Sequence, residues 1–386
     1  MINFDFLSAI IFYVGILLFI FFNKSKFENQ AKVFFLYRTK KGIGFMKKFG
    51  QKHKYLITLF ASFGVIVSIY FLLKLPEQFF EMLIDLIGTV GDVKSQFGLV
   101  LPGIKIPGSA FFIPFWYGII SLFTVVVLHE VAHGIAAISE GVRINNTGFG
   151  FLLFIPVFFV EPDEKQMMKK SHMTRARVAA AGPFMNLSLA FLVGLFLTYV
   201  LVPLGSSLFM FGGVIIEDIS PGMPAELAGI VPGTIITKIN GQKINDLSHF
   251  IETLDGSFIG QETTFTSKEG EDFVLQTVKD PNNESRALFG ISFDKNTVLT
   301  QKGEDWGVVT KLFTVFSTFL QYFIFLSLGI GIMNFLPVWA VDGGQIFYNL
   351  ASIIFKKEQT AMKVSSTYFS FTIILLLLNI LLPIFL

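Results

Sequence analysis

The stretch VVVLHEVAHG, Val125 to Gly134, decides the reading of this chain, because it sets two histidines and a glutamate into an otherwise apolar run. A charged residue deep in a membrane helix costs on the order of 3 kcal/mol on insertion scales. Ionisable side chains beside Val125, Leu128, Val131 and Ile135 therefore need a chemical reason. Their spacing supplies one. His129 and His133 stand four apart, so on a helix both imidazoles project from one face and can share a metal ion. Glu130 lies beside them, where it can take a proton from an activated water.

The surroundings are those of a membrane protein. Of 386 residues, 53% are hydrophobic and 15% charged, against about a quarter charged in soluble domains. A net charge of +2 gives no basis for nucleic-acid binding, and none is expected. The absence of cysteine excludes disulfides, thiolate metal sites and a cysteine nucleophile. About six stretches approach the 20 apolar residues needed to cross a bilayer: 4–22, 55–75, 113–138, 177–203, 309–337 and 365–386. The first contains Asp5 and lacks a small-residue cleavage site, so it reads as a retained anchor.

Loop charge sets an orientation. Between the first two stretches, basic residues from Lys24 to Lys54 face Glu28 alone, which predicts a cytoplasmic loop and an outside N-terminus. Alternation then puts 76–112 and 204–305 outside, and 140–176 and 338–364 inside. In the outer loop, Phe79, Phe80, Leu83, Leu86 and Ile87 fall at helical spacing and predict an interfacial amphipathic helix. The run Gly148 to Glu161 is apolar but too short and interrupted to span. It predicts a re-entrant β segment able to pair with an extended peptide. His53, His172 and His249 lie in polar segments and read as surface residues. Lys52 and Lys54 suit contact with anionic lipid.

Residues 211–297 differ in character, alternating short apolar runs with Gly/Pro turns. The stretch SPGMPAELAGIVPGTIITKINGQ, from Ser220 to Gln242, resembles a PDZ domain of the protease-associated form. That resemblance implies capture of an extended peptide at a sheet edge.

The third metal ligand is open on local spacing alone. A metzincin pattern would need glycine and histidine where Ala136 and Ser139 stand, whereas a gluzincin pattern would point to Glu161. Further along, Asn334, Pro337, Asp342 and Gly343 form the pattern NxxPxxxxDG. Together with the earlier HExxH, this is similar to the site-2 protease family of intramembrane zinc metalloproteases, which often carry a PDZ domain between the two motifs. Gly182, Pro183 and Asn186, in AAAGPFMN, resemble the family's GPxxN element, and PVFFVEPD resembles the segment after its zinc helix. The resemblance implies Zn2+ held by His129, His133 and Asp342, with Glu130 as catalytic base. It implies that Asn186 donates to the oxyanion or holds substrate, and that Asn334 does so or orders the loop presenting Asp342. Substrates would be transmembrane proteins, trimmed beforehand, met in the lipid bilayer, with the active site toward the cytoplasmic side.

The expected fold is a polytopic α-helical membrane protein with an inserted small α+β PDZ domain and a re-entrant β segment. Four regions follow: 1–112 with the N-terminal spans, 113–203 with the HExxH and GPxxN helices, 211–297 as the PDZ domain, and 306–386 with the Asp342 motif and a final span. Rival readings are a membrane metal transporter, a catalytically inactive scaffold binding peptides through its PDZ domain, and a zincin facing solvent. The near absence of other acids in the spans disfavours the first, intact motifs the second, and the apolar run before His129 the third.

Overall fold

The computed structural model describes residues 4–23, 27–30, 34–88, 101–105, 112–152, 155–280 and 283–385. In chain order the first elements are α1 (Phe4–Phe22), β1 (Glu28–Gln30), β2 (Phe34–Thr39), α2 (Ile43–Lys52), α3 (Lys54–Gly88) and α4 (Phe115–Ser139). Then come β3 (Ile144–Leu152), β4 (Ile155–Pro162), α5 (Glu164–Met168) and α6 (His172–Phe196), which continues through a wider π-type turn at Leu197–Leu201 into α7 (Val202–Leu208). The inserted region holds β5 (Phe209–Ile219), α8 (Pro224–Leu227), β6 (Ile235–Ile239), β7 (Gln242–Lys243), α9 (Leu247–Asp255), β8 (Glu262–Ser267) and β9 (Asp272–Gln276). It continues with β10 (Val278–Asp280), β11 (Asn283–Leu288), β12 (Ile291–Leu299) and α10 (Gln301–Asp305). The chain closes with α11 (Val308–Met333), α12 (Asp342–Phe355) and α13 (Glu358–Phe385).

Six helical stretches among the described residues are long and apolar enough to cross a membrane, and they coincide with the six expected from sequence. The chain divides into two compact units, Met1–Leu197 with Phe316–Leu386, and Thr198–Val315. Residues from the first, second and fourth expected regions share the first of these units.

Three features of this membrane unit depart from expectation. The outer amphipathic helix is not a separate element. It continues α3, burying Phe79, Leu83 and Leu86 in a cluster with Leu336 and Leu375. The rest of that loop, 89–100 and 106–111, lies outside the described residues. Continuation requires passing Pro76, which has no N–H to give the carbonyl of Leu72 four residues back. The Tyr368 hydroxyl of α13 donates to that carbonyl at 2.9 Å. In lipid such a repair is needed, since no solvent can make it.

The second departure is β2, which lies in the basic loop and pairs with β3. The expected β segment is a hairpin of β3 and β4, and β2 extends it into a four-stranded antiparallel sheet of order β1-β2-β3-β4. Cross-strand neighbours are aromatic or β-branched: Tyr37 faces Phe149, and Phe149 faces Phe158. The third is α12, in a region expected to be an inner loop. It buries Ile346, Asn349 and Ser352, three residues apart along one face.

The inserted unit is a small α+β domain with sheet order β12-β5-β6-β8-β9 and β7 beside β6. Val214 and Ile216 alternate inward from β5, and Ile236 and Ile239 turn inward on either side of a register shift in β6, all packing with Phe250 of α9 and Phe265 of β8. Asp246 caps α9, its carboxylate accepting from the His249 N–H at 2.8 Å. Between α9 and the edge strand β12 lies a cavity of about 420 Å³, lined by Ile251, Leu254, Phe289, Gly290, Ile291 and Phe293.

Candidate metal centre

The site is assembled by three helices of the membrane unit. From α4, His129 and His133 present their Nε2 atoms 3.1 Å apart. From the start of α12, Asp342 brings Oδ2 to 3.1 Å from His129 Nε2 and 3.3 Å from His133 Nε2. One donor atom from each residue falls within a 4.8 Å cluster, and all three side chains are largely buried. The donor set alone fits a metal ion: two imidazoles and a carboxylate are the three protein ligands of a catalytic zinc site, whose fourth position is left to a non-protein ligand.

The third helix, α6, supplies the backing. His133 Nδ1–H donates to the Val178 carbonyl at 2.8 Å, which leaves Nε2 with its lone pair toward Asp342. Gly182 lets α6 approach the pair, since a Cβ there would meet the Nε2 atoms of both His129 and His133. Asn186 is fully buried, with Nδ2 3.1 Å from His129 Nδ1. Its amide thus faces the rear of a histidine and not the cavity, which leaves the expected oxyanion or substrate contact without geometric support.

Asp342 owes its position to backbone geometry. After α11 ends, the Gly343 N–H donates to the Asn334 carbonyl at 2.7 Å, and the Asn334 side chain donates to the Ile330 carbonyl at 2.9 Å. A Cβ on Gly343 would run into the carbonyls of Phe335 and Leu336. The Asn334 backbone carbonyl thus holds the turn that presents Asp342, while its side chain bonds back to α11.

In front of the cluster lies a cavity of about 470 Å³, lined by Glu130, His133 and Asp342, by Val160 of β4, and by Arg175, Trp339 and Tyr348. Glu130 Oε2 accepts from the Val160 N–H at 3.1 Å, which ties the carboxylate to β4 where that strand borders the cavity. Glu161, the alternative ligand, is committed elsewhere. It accepts from Arg38 at 2.8 Å and from Asn146 at 2.8 Å, and the Arg38 guanidinium holds its carboxyl below the usual range. His172 departs from its expected surface role. Its ring meets Arg175 at 3.0 Å and Asn349 at 3.1 Å, two residues that line the cavity. His53 packs on Phe49, with ring centres 4.8 Å apart. The Val178 carbonyl was not foreseeable, because a backbone acceptor leaves no mark in a sequence.

An HExxH helix and a distant aspartate meeting inside a bundle of apolar helices define a membrane-embedded candidate metalloenzyme. Residues 117–378 match the model of peptidase family M50, and the chain belongs to that family, the one its motifs resemble. An uncharacterized protein of Methanocaldococcus jannaschii is 29% identical over 83% of this chain and 78% of its own length. A Clostridium perfringens protein carrying the provisional name of a zinc metalloprotease is 24% identical over 63% of this chain and 89% of its own. Zinc metalloprotease RasP of Oceanobacillus iheyensis is 24% identical over 49% of this chain and 54% of its own. A solved PDZ domain of an SdrC-like protein from Listeria monocytogenes aligns with 22% of this chain and 90% of that domain, at 20% identity and a TM-score of 0.20.

Proposed function

We propose that this protein is an intramembrane zinc metalloprotease that hydrolyses a peptide bond within a transmembrane segment of its substrate. The observation that carries the reading is the arrival of Asp342 at 3.1 and 3.3 Å from two imidazoles of an HExxH helix 213 residues earlier. His129, His133 and Asp342 would hold zinc. When bound there, zinc would polarise the scissile carbonyl and raise the acidity of water.

Glu130 then acts as base and acid. It takes a proton as water adds to the carbonyl, and passes it to the amide nitrogen as the C–N bond breaks. Its link to the Val160 N–H aims the carboxylate at the cavity edge. The substrate must be extended to reach this centre, because a spanning helix keeps its carbonyls hydrogen-bonded and has to unwind locally first. Among the described residues β4 pairs with β3 alone, and we assign its other edge, where the Val160 N–H meets Glu130, to pairing with the unwound segment. Substrates with weak helical segments would be favoured. We assign the active site to the cytoplasmic side and the N-terminus and inserted domain to the outside, on the charge of the loops. The groove between α9 and β12 would take an extended peptide in the manner of a PDZ domain, and filter for substrates already trimmed.

The test is cleavage of a model transmembrane peptide by purified protein in detergent or liposomes. Glu130→Gln should reduce the rate by about 10²–10⁴-fold with zinc content preserved, and Asp342→Asn should reduce both rate and zinc content. Cleavage by both variants at the rate of the parent sinks the reading.

A further inference from the structure

We infer that Asn186 is a positioning residue that fixes the tautomer of His129, through a hydrogen bond from His129 Nδ1–H to its amide oxygen. The inference rests on the proposed zinc site and assigns to Asn186 a task other than contact with substrate. The argument begins with the two histidines. Each turns Nε2 toward Asp342, so each must keep the lone pair on Nε2 and carry its proton on Nδ1 in order to ligate. For His133 the partner of Nδ1–H is the Val178 carbonyl at 2.8 Å, a group that can only accept. Its tautomer is thereby set.

His129 has no carbonyl in the equivalent place. The group facing its Nδ1 is the Asn186 amide, with Nδ2 at 3.1 Å. In that orientation a donor points at Nδ1, which would push the proton to Nε2 and remove the lone pair needed for a metal. The same orientation leaves Asn186 Oδ1 buried with no hydrogen-bond partner among the described residues. A half-turn of the amide about its Cβ–Cγ bond gives Oδ1 the His129 Nδ1–H and frees Nε2 to ligate, and it sets Nδ2 where Oδ1 stood, a place that offered Oδ1 no donor. The two ends of an amide have nearly the same shape, so the half-turn asks nothing of the packing. That packing is close. The Asn186 carbonyl accepts from Ser327 at 2.9 Å, and a Cβ on Gly331 would lie 3.1 Å from that of Asn186. The side chain is held by α11 against the rear of α4. Partners behind ligating histidines typically tune metal affinity by about 10–100-fold.

The experiment measures zinc affinity of the full-length protein by competition with a chromophoric chelator, for the parent, Asn186→Leu and Asn186→Asp. Leucine keeps the volume and offers no acceptor, so zinc should bind about 10–100-fold more weakly. Aspartate offers only acceptors in the same place and should retain the parent affinity or exceed it. Rescue by aspartate separates tautomer control from simple packing. Parent-like affinity in Asn186→Leu overturns the inference, as does a loss in Asn186→Asp equal to that in Asn186→Leu. If Asn186→Leu fails to fold, the aspartate variant alone decides: retained affinity supports the assignment and lost affinity overturns it. A parent protein that binds no stoichiometric zinc would overturn the metalloprotease reading itself, and this inference with it.

Discussion

The two units solve opposite problems. In the inserted unit, Val214, Ile216, Ile236, Phe250 and Phe265 are gathered out of water, and the apolar residues identify the core. In the membrane unit apolar surface is ordinary, with Phe63, Ile66, Leu73 and Phe80 exposed along α3. There the buried polar groups carry the information, because each must be answered from within the protein. Asn379 donates to the Phe79 carbonyl at 2.7 Å and Tyr368 to that of Leu72 at 2.9 Å, while His129, His133 and Asp342 turn their polar atoms toward one another in a group that could hold a metal ion. A polar side chain between apolar helices is therefore either a backbone repair or a functional group. The comparison teaches which to test.

The largest expected effect lies in the inserted unit. Phe250 is fully buried, and Phe250→Ala should destabilise that unit by about 3–5 kcal/mol. Hydrogen exchange of β6 and β8 amides would report it, with zinc affinity unchanged. A parallel loss of zinc affinity would break the division drawn between the units.

Next comes Gly182→Ala. Alanine is a better helix former than glycine, yet its Cβ would come within 2.7 Å of His129 Nε2 and closer still to His133 Nε2. Zinc affinity should fall by about 10–100-fold with helix content unchanged by circular dichroism. Gly222 of the inserted unit is the counterpart. It has φ +74° and open space around its Cα, so Gly222→Ala should cost about 1 kcal/mol of strain and leave zinc binding alone. Equal zinc affinity in Gly182→Ala and the parent would remove α6 from the metal centre.

What the sequence disclosed follows the same division. The HExxH helix, the six apolar stretches, the β hairpin and the aspartate motif each leave a local mark, and the structure brings His129, His133 and Asp342 together. What it hid depends on partners far along the chain. The β2 segment reads as part of a basic loop because its pairing strand, β3, begins more than 100 residues later. Helix α12 is too short for a span pattern and opens on Asp-Gly-Gly, which reads as a turn. Pro76 reads as a helix end because the hydroxyl that repairs it belongs to Tyr368. Asn186 carried a legible motif, but which way its amide faces is a property of three packed helices.

Tyr368→Phe sharpens that last point at a smaller scale. It removes one oxygen and strands the Leu72 carbonyl beside Pro76, which should cost about 1–3 kcal/mol. Thermal unfolding in detergent measures it, and an unchanged midpoint would mean that α3 crosses Pro76 without help.

The smallest effect is expected in the four-stranded sheet beside the cavity. Glu161 accepts from Arg38 and Asn146, and Arg38 also pairs with Glu28. The Glu161 carboxyl is held low, first by the Arg38 hydrogen bond and then by Asn146, against the opposing pull of partial burial. A carboxyl lowered in the folded state adds stability that is present above its unfolded value of about 4.3, and that fades as the pH drops from there through the folded value. The Glu161 side chain is 30% exposed, so solvent screens the pair and the contribution should stay under about 1 kcal/mol. Comparing thermal unfolding of the parent and Glu161→Gln at pH 7 and pH 4 reads it out. The parent should lose more stability on acidification than the variant, which has no charge at that position to lose. An identical acid response in both would assign the sheet's cohesion to its backbone pairing and its aromatic cross-strand contacts alone.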